Sequence, residues 1–120
     1  MALPKSFPRH ERLLQSREYT SVFNDTQCKS SDQYFIVLAI PNRQQHPRLG
    51  LAITKKKIRT AVARNRLKRI IRESFRHHKD SLKGLDIVVL CQSRASSVNN
   101  EVLFLNLHNH WLKIAERCKS

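Results

Sequence analysis

Between Lys55 and Lys79 the chain places eleven of its 23 lysines and arginines beside a single acid, Glu73. At a helical period, Asn65, Lys68, Arg69, Arg72 and Arg76 fall in one arc of this run, with Arg64 and Arg66 on its flanks. Ala63, Leu67, Ile70, Ile71 and Ser74 fall in the opposite arc. The pattern predicts a helix over about 59–77 that docks by its apolar arc and displays a cationic ridge roughly 16 Å long. Guanidinium groups in fixed register suit phosphate oxygens, which they grip with paired N–H donors. Lys55, Lys56, Lys57 and Arg59 continue the patch to the start of the helix, where free backbone amides add donors. The chemistry is recognition of a polyanion. A merely solvated face would mix signs. A membrane-surface or calmodulin-target helix would need its apolar arc free, and here the fold claims it.

Residue patterns for protein-based catalysis are missing from the sequence. There is no HExxH and no serine elbow. His77 and His78 sit at the expected C-terminus of the basic helix, where the helix dipole favours a cation. His108 and His110 are two apart and cannot share a helix face. Asp86 opens a strand without a carboxylate neighbour. All are read as structural, so no catalytic residue and no protein metal site are expected. Cys28, Cys91 and Cys118 form no CxxC pair and are expected to be reduced thiols in a reducing cytoplasm.

Composition bounds the rest. A net charge of +14 over 120 residues, with 40% hydrophobic content, fits one globular domain, 1–120, whose natural partner is nucleic acid. No signal-peptide pattern and no run of about 20 apolar residues is seen, so a cytoplasmic location without membrane contact is expected. The absence of zinc-finger spacing and of a helix-turn-helix order favours folded RNA over DNA.

The elements that must position the ridge follow from the remaining pattern. Residues 1–12, with two prolines, read as an extended arm. Ser16 caps a helix to about Phe23, with Tyr19, Val22 and Phe23 on one face. After a polar loop with room for a short edge strand, 34–40 (YFIVLAI) is a strand buried on both faces. It pairs through a long turn with 48–54 (RLGLAIT) as a hairpin. In that second strand Leu49, Leu51 and Ile53 face a helix-covered core, and Arg48, Gly50, Ala52 and Thr54 face the other way. The small residues form a shallow floor on which a ligand or the first helix lies. Residues 86–91 give another buried strand, and Asn99 or Asn100 caps a last helix to about Arg117 with Leu103, Leu107, Trp111, Ile114 and Cys118 in one stripe. The fold class is α+β: a two-layer α/β sandwich with one mixed sheet of three to four strands, three helices, and a β-α-β crossover carrying the basic helix.

The stretch RLGLAITKKKIRTAVARNRLKRIIRESF resembles the signature of the bacterial ribonuclease P protein subunit, centred on Arg64-Asn65-Arg66 and Lys68-Arg69. The likeness extends through FPRHERLLQSREYTSVF upstream and DIVVL downstream. It implies a left-handed crossover and a protein that assists a catalytic RNA subunit in cleaving precursor tRNA, with Mg2+ serving the assembled enzyme. Lys55, Lys56, Arg59, Arg64, Asn65, Arg66, Lys68, Arg69 and Arg72 would then contact the RNA subunit. A cleft between the first helix and the sheet, walled by Tyr19, Phe23, Phe35 and Val37 with Arg48 at its edge, would take the single-stranded 5′ leader. The alternatives are a non-enzymatic ribosomal-type RNA-binding protein or RNA chaperone on the same scaffold, and, less well supported, a protein-only nuclease.

Overall fold

A computed structural model describes the backbone of Arg12 and of residues 16–118. The expected arm, apart from Arg12, and the side chain of Ser16 as a cap lie outside the described residues. The elements run α1 (Ser16–Asp25), β1 (Cys28–Ser31), β2 (Phe35–Pro41), β3 (Arg48–Ala52), α2 (Ala61–Arg76), β4 (Leu85–Cys91) and α3 (Asn100–Arg117). Two 3-10 turns, Lys79–Leu82 and Ser93–Ser97, flank β4.

The strands form one mixed sheet in the order β1-β2-β4-β3. β2 pairs antiparallel with β1 and with β4, whereas β3 pairs with β4 in parallel. The hairpin expected of β2 and β3 is therefore absent: β4 lies between them. Parallel neighbours need a long crossover, and α2 supplies it between β3 and β4. The tight connection is the one before β2. There Asp32 Oδ1 accepts the backbone N–H groups of Tyr34 (2.9 Å) and Phe35 (3.0 Å), an Asx turn that reverses the chain from β1 into β2.

Each long helix starts on a capping side chain. Thr60 Oγ1 accepts from Ala63 N at 3.1 Å, and Asn99 Oδ1 accepts from Val102 N at 2.9 Å. α2 thus starts two residues later than its apolar period indicates.

α2 and α3 cover one face of the sheet. Leu67, Ile70, Ile71 and Phe75 of α2 meet Leu103, Leu107, Trp111 and Ile114 of α3 over Phe35, Val37, Leu49, Ile87 and Val89. Trp111 is fully buried, and its Nε1–H donates to Ser74 Oγ at 2.8 Å, which explains a serine on the buried arc of α2. His110 is buried too; its Nδ1 lies 2.7 Å from Ser30 Oγ. Its Nε2 lies 3.2 Å from Asp32 Oδ1, too oblique for a hydrogen bond.

α1 partly covers the second face, where fully buried Val22 packs on Val88 among Tyr19, Leu38, Ile40, Ala52 and Leu90. β2 is accordingly buried on one face and half-buried on the other, not buried on both as its unbroken apolar run indicates.

Two of the three cysteines differ from the expected reduced thiols, and Cys91 does not. Cys28 of β1 and Cys118 at the end of α3 form a disulfide, with Cα atoms 5.5 Å apart. Cys91 is a buried thiol whose pKa burial pushes up to about 12.

Candidate nucleic-acid interface

α2 presents its charge as the helical period requires, but the structure divides the ridge into two kinds of residue. The flanking arginines serve the fold. Arg64 donates to the carbonyls of Ile58 (2.9 Å) and Arg59 (3.0 Å), holding the β3–α2 loop against the helix. Arg66 donates to Val98 O (2.6 Å) and Asn100 Oδ1 (3.0 Å), tying α2 to the start of α3.

The residues between them face outward. Asn65, Lys68, Arg69, Arg72, Glu73 and Arg76 line an open groove of about 380 Å³ together with Arg12. Glu73 binds Arg76 and His77, and hydrogen bonds from His77 and then Arg76 hold its carboxyl below its usual range. Burial, then the like charge of Arg12, push Arg72 below the ordinary arginine value. Cations brought together in this way favour an anion between them.

Arg12 lies outside the helical pattern. It reaches the groove because its backbone bridges Leu49 in parallel, at the free edge of β3. Only tertiary structure brings it there, so no sequence signal marks it. A second shallow groove, about 470 Å³, opens where α2 begins and is lined by Lys56, Lys57, Arg59, Thr60, Ser93 and Ser96. Lys55 is exposed at its approach. The two serines come from the turn after β4 and carry no mark in the sequence.

On the opposite face of the sheet, α1 and the strands meet as follows. The Tyr19 ring lies on Gly50 so closely that a Cβ there would sit 2.7 Å from Tyr19 Cε1. The small-residue floor is thus partly occupied by α1. Phe23, one helical turn on, remains 44% exposed beside it. Phe35 and Val37 do not wall this side: both are fully buried in the core under α2 and α3. Side chains alternate along a strand, so the β2 residues that face α1 are Ile36, Leu38 and Ile40.

Arg48 stands at the edge of the cleft, but its guanidinium is taken up by two carboxylates. Nε and Nη2 donate to Asp86 at 2.8 and 2.6 Å, and Nη1 donates to Glu18 at 2.8 Å.

The histidines set aside on sequence grounds have structural partners. His78 Nδ1 donates to Ser74 O (2.8 Å), and its Nε2 meets His108 Nδ1 at 2.8 Å. Asp86, the strand-opening acid, is bonded to Arg48 and Asn42. Among the described residues no helix is long and apolar enough to cross a membrane.

Comparison with known proteins agrees with this arrangement. The sequence profile of the family described as Ribonuclease P matches residues 7–115. The ribonuclease P protein component of Methylococcus capsulatus is 50% identical over 112 residues, covering 93% of this chain and 87% of that protein. Its Pseudomonas aeruginosa counterpart is 41% identical over 110 residues, covering 92% and 82%. Among solved structures, the Staphylococcus aureus RNase P protein superposes with a TM-score of 0.77 at 29% identity, covering 91% of this chain and 98% of that one. The Thermotoga maritima RNase P protein gives 0.73 at 34% identity, covering 82% and 93%. With a four-stranded mixed sheet, three helices and a basic helix on the crossover, this chain belongs to the ribonuclease P protein family.

Proposed function

We propose that the chain acts within ribonuclease P by holding two RNA segments on two faces. The α2 ridge and its groove bind the catalytic RNA subunit through Asn65, Lys68, Arg69 and Arg72, with Arg12 and Arg76 added. Arg64 and Arg66 present their remaining N–H donors from the flanks, and Lys55, Lys56 and Arg59 continue the contact. The α1 side receives the 5′ leader of precursor tRNA, with Phe23 and Tyr19 as its aromatic residues. By binding both, the protein assists endonucleolytic removal of the leader in the cytoplasm.

The observation that carries this reading is the groove itself, lined by five cationic side chains and one acid already engaged by two neighbours. Such a surface binds the nucleic-acid backbone by charge and fixed geometry.

Mg2+ is expected for the assembled enzyme. Among the described residues no three His, Cys, Asp or Glu side chains converge on a metal-sized site. We therefore assign no step to a protein-bound metal. The decisive assay mixes this protein, a bacterial ribonuclease P RNA and precursor tRNA at low Mg2+. Cleavage that requires both macromolecules supports the proposal. Cleavage by protein alone, or no effect of the protein on cleavage by the RNA, overturns it.

A further inference from the structure

An arginine at the mouth of an RNA cleft invites assignment as a phosphate contact. The bonds around Arg48 argue otherwise. Arg48 and Asp86 are register partners at the start of the parallel β3–β4 pair. The guanidinium makes a two-pronged contact with Asp86 through Nε and Nη2. Asp86 is itself fixed by Asn42 Nδ2 (2.9 Å), which also donates to His46 O at 3.2 Å. The third nitrogen, Nη1, reaches across to Glu18 on α1.

One cation thus sits between two carboxylates, at side-chain exposures of 19% for Arg48, 7% for Asp86 and 22% for Glu18. With Nε, Nη1 and Nη2 each bonded to a carboxylate, the guanidinium's charge is already matched within the fold, which makes it a poor phosphate contact. Its hydrogen bonds to Asp86 also raise the Arg48 pKa, so the cation persists at any working pH.

The geometry points further. α1 has ten residues, too few to be stable as a helix alone, and Val22 is its one fully buried hydrophobic side chain. Apolar contact alone leaves its pitch and height over the sheet loosely set. Glu18 is followed directly by Tyr19, whose ring packs closely on Gly50, and Phe23 is one turn beyond. A charge-assisted bond at Glu18 fixes the rotation of the helix just where the aromatic residues leave it.

We propose that Arg48 is a positioning residue that pins α1 to the sheet through Glu18 and Asp86, and so holds Tyr19 and Phe23 at the height and angle the leader requires. This rests on the leader assignment made above for the α1 face. Arginine is needed because lysine, whose three N–H donors all leave one nitrogen, cannot grip Asp86 with two prongs and reach Glu18 together.

The test uses the reconstituted holoenzyme and two variants, Glu18→Gln and Arg48→Lys. Affinities for precursor and for mature tRNA are measured across a salt series, with melting temperature and RNA-subunit affinity alongside. Arg48→Lys leaves buried Asp86 with a poorer partner and is the variant at risk of misfolding; Glu18→Gln is near-isosteric, at a side chain 22% exposed. Glu18→Gln keeps an oxygen that can accept from Arg48 but removes its charge, and is expected to lower the preference for precursor over mature tRNA by about fivefold, the difference between a charged and a neutral acceptor. The salt slope, mature tRNA binding and RNA-subunit binding should be unchanged. Arg48→Lys is expected to do the same while keeping its charge.

If Arg48 is instead a phosphate contact restrained by Glu18, Glu18→Gln frees it. Precursor binding then tightens and the salt slope steepens by about one unit, which overturns the proposal. A wild-type preference that Glu18→Gln leaves intact overturns it equally. A wild-type holoenzyme with no preference for the precursor removes the leader assignment itself, and the proposal with it.

Discussion

Arg66 and Arg69 are three residues apart on one helix yet do different work. Arg69 lines the open groove, whereas Arg66 is bonded to the segment that leads into α3. Arg69→Ala is expected to weaken RNA-subunit binding and reduce the salt slope by about one unit. Its melting temperature should stay at wild type, because an exposed substitution costs within about 0.5 kcal/mol. Arg66→Ala should in addition destabilise the free protein by about 1–3 kcal/mol, since Val98 O loses a charged donor. Denaturant titration beside the binding assay separates the two. Phe23 is the exposed aromatic side chain of α1. Phe23→Ala is expected to weaken precursor tRNA binding by about 1–3 kcal/mol if a base stacks there, and to leave mature tRNA binding unchanged. An equal loss for both, with a lower melting temperature, would make Phe23 a packing residue.

At the scale of elements, the two arcs of α2 predict opposite phenotypes. Leu67 and Ile70 are buried under α3, so each change to alanine should cost about 2–5 kcal/mol in a denaturant titration. RNA affinity should fall only with the folded fraction. α3 carries a pH-dependent contact. Burial holds His110 below the ordinary histidine value of 6.5, against the pull of Asp32 and helped by Lys113 and Arg117. Between its folded pKa and about 6.5 the unfolded chain binds the extra proton, so stability rises with pH there and falls on acidification. Asp32 does not confuse that window. Burial raises its pKa, but hydrogen bonds from Phe35, Tyr34 and Asn106 bring it below 3.8, so its contribution is lost only at lower pH. Melting temperature should drop between pH 7.5 and 5.5 in the wild type, and drop less in His110→Asn.

These elements also show what a sequence can disclose. The faces of α2 were legible because charge and hydrocarbon alternate at 3.6 residues, and the faces of β3 because Leu and Ile alternate with Gly and Ala. β2 is apolar at every position from Phe35 to Pro41, so no period told which of its faces met α1. The resemblance puts Phe35 and Val37 on the cleft wall, and nothing in that unbroken run corrects it. The insertion of β4 between β2 and β3, the bridge that brings Arg12 to the groove and the Cys28–Cys118 pairing all join positions far apart in the chain. Local pattern carries no record of them. The three-helix, one-sheet composition and the cationic ridge needed none of that information.

For the whole molecule, a net charge of +14 makes association with RNA a salt-governed event. If about 6–10 phosphates are neutralised, affinity for the RNA subunit should fall by about 10³–10⁵-fold between 50 and 200 mM salt. A filter-binding series that gives a flat salt response would contradict the interface as drawn.

The strand order has a consequence in time. β4 is the last strand to be synthesised, yet it lies inside the sheet, between β2 and β3, and carries Val88, on which α1 rests. On a translating ribosome, α1 and β1 to β3 emerge first and find no floor. About forty residues separate the end of β3 from the end of β4, roughly 2–8 s of synthesis at about 5–20 residues per second. During that interval the whole of α2 emerges with its arginines, and its apolar arc has neither β4 nor α3 to cover it. The nascent chain can thus meet RNA through its charge before it owns a cleft. Capacity to hold the catalytic RNA would arrive seconds ahead of capacity to sort precursor from product.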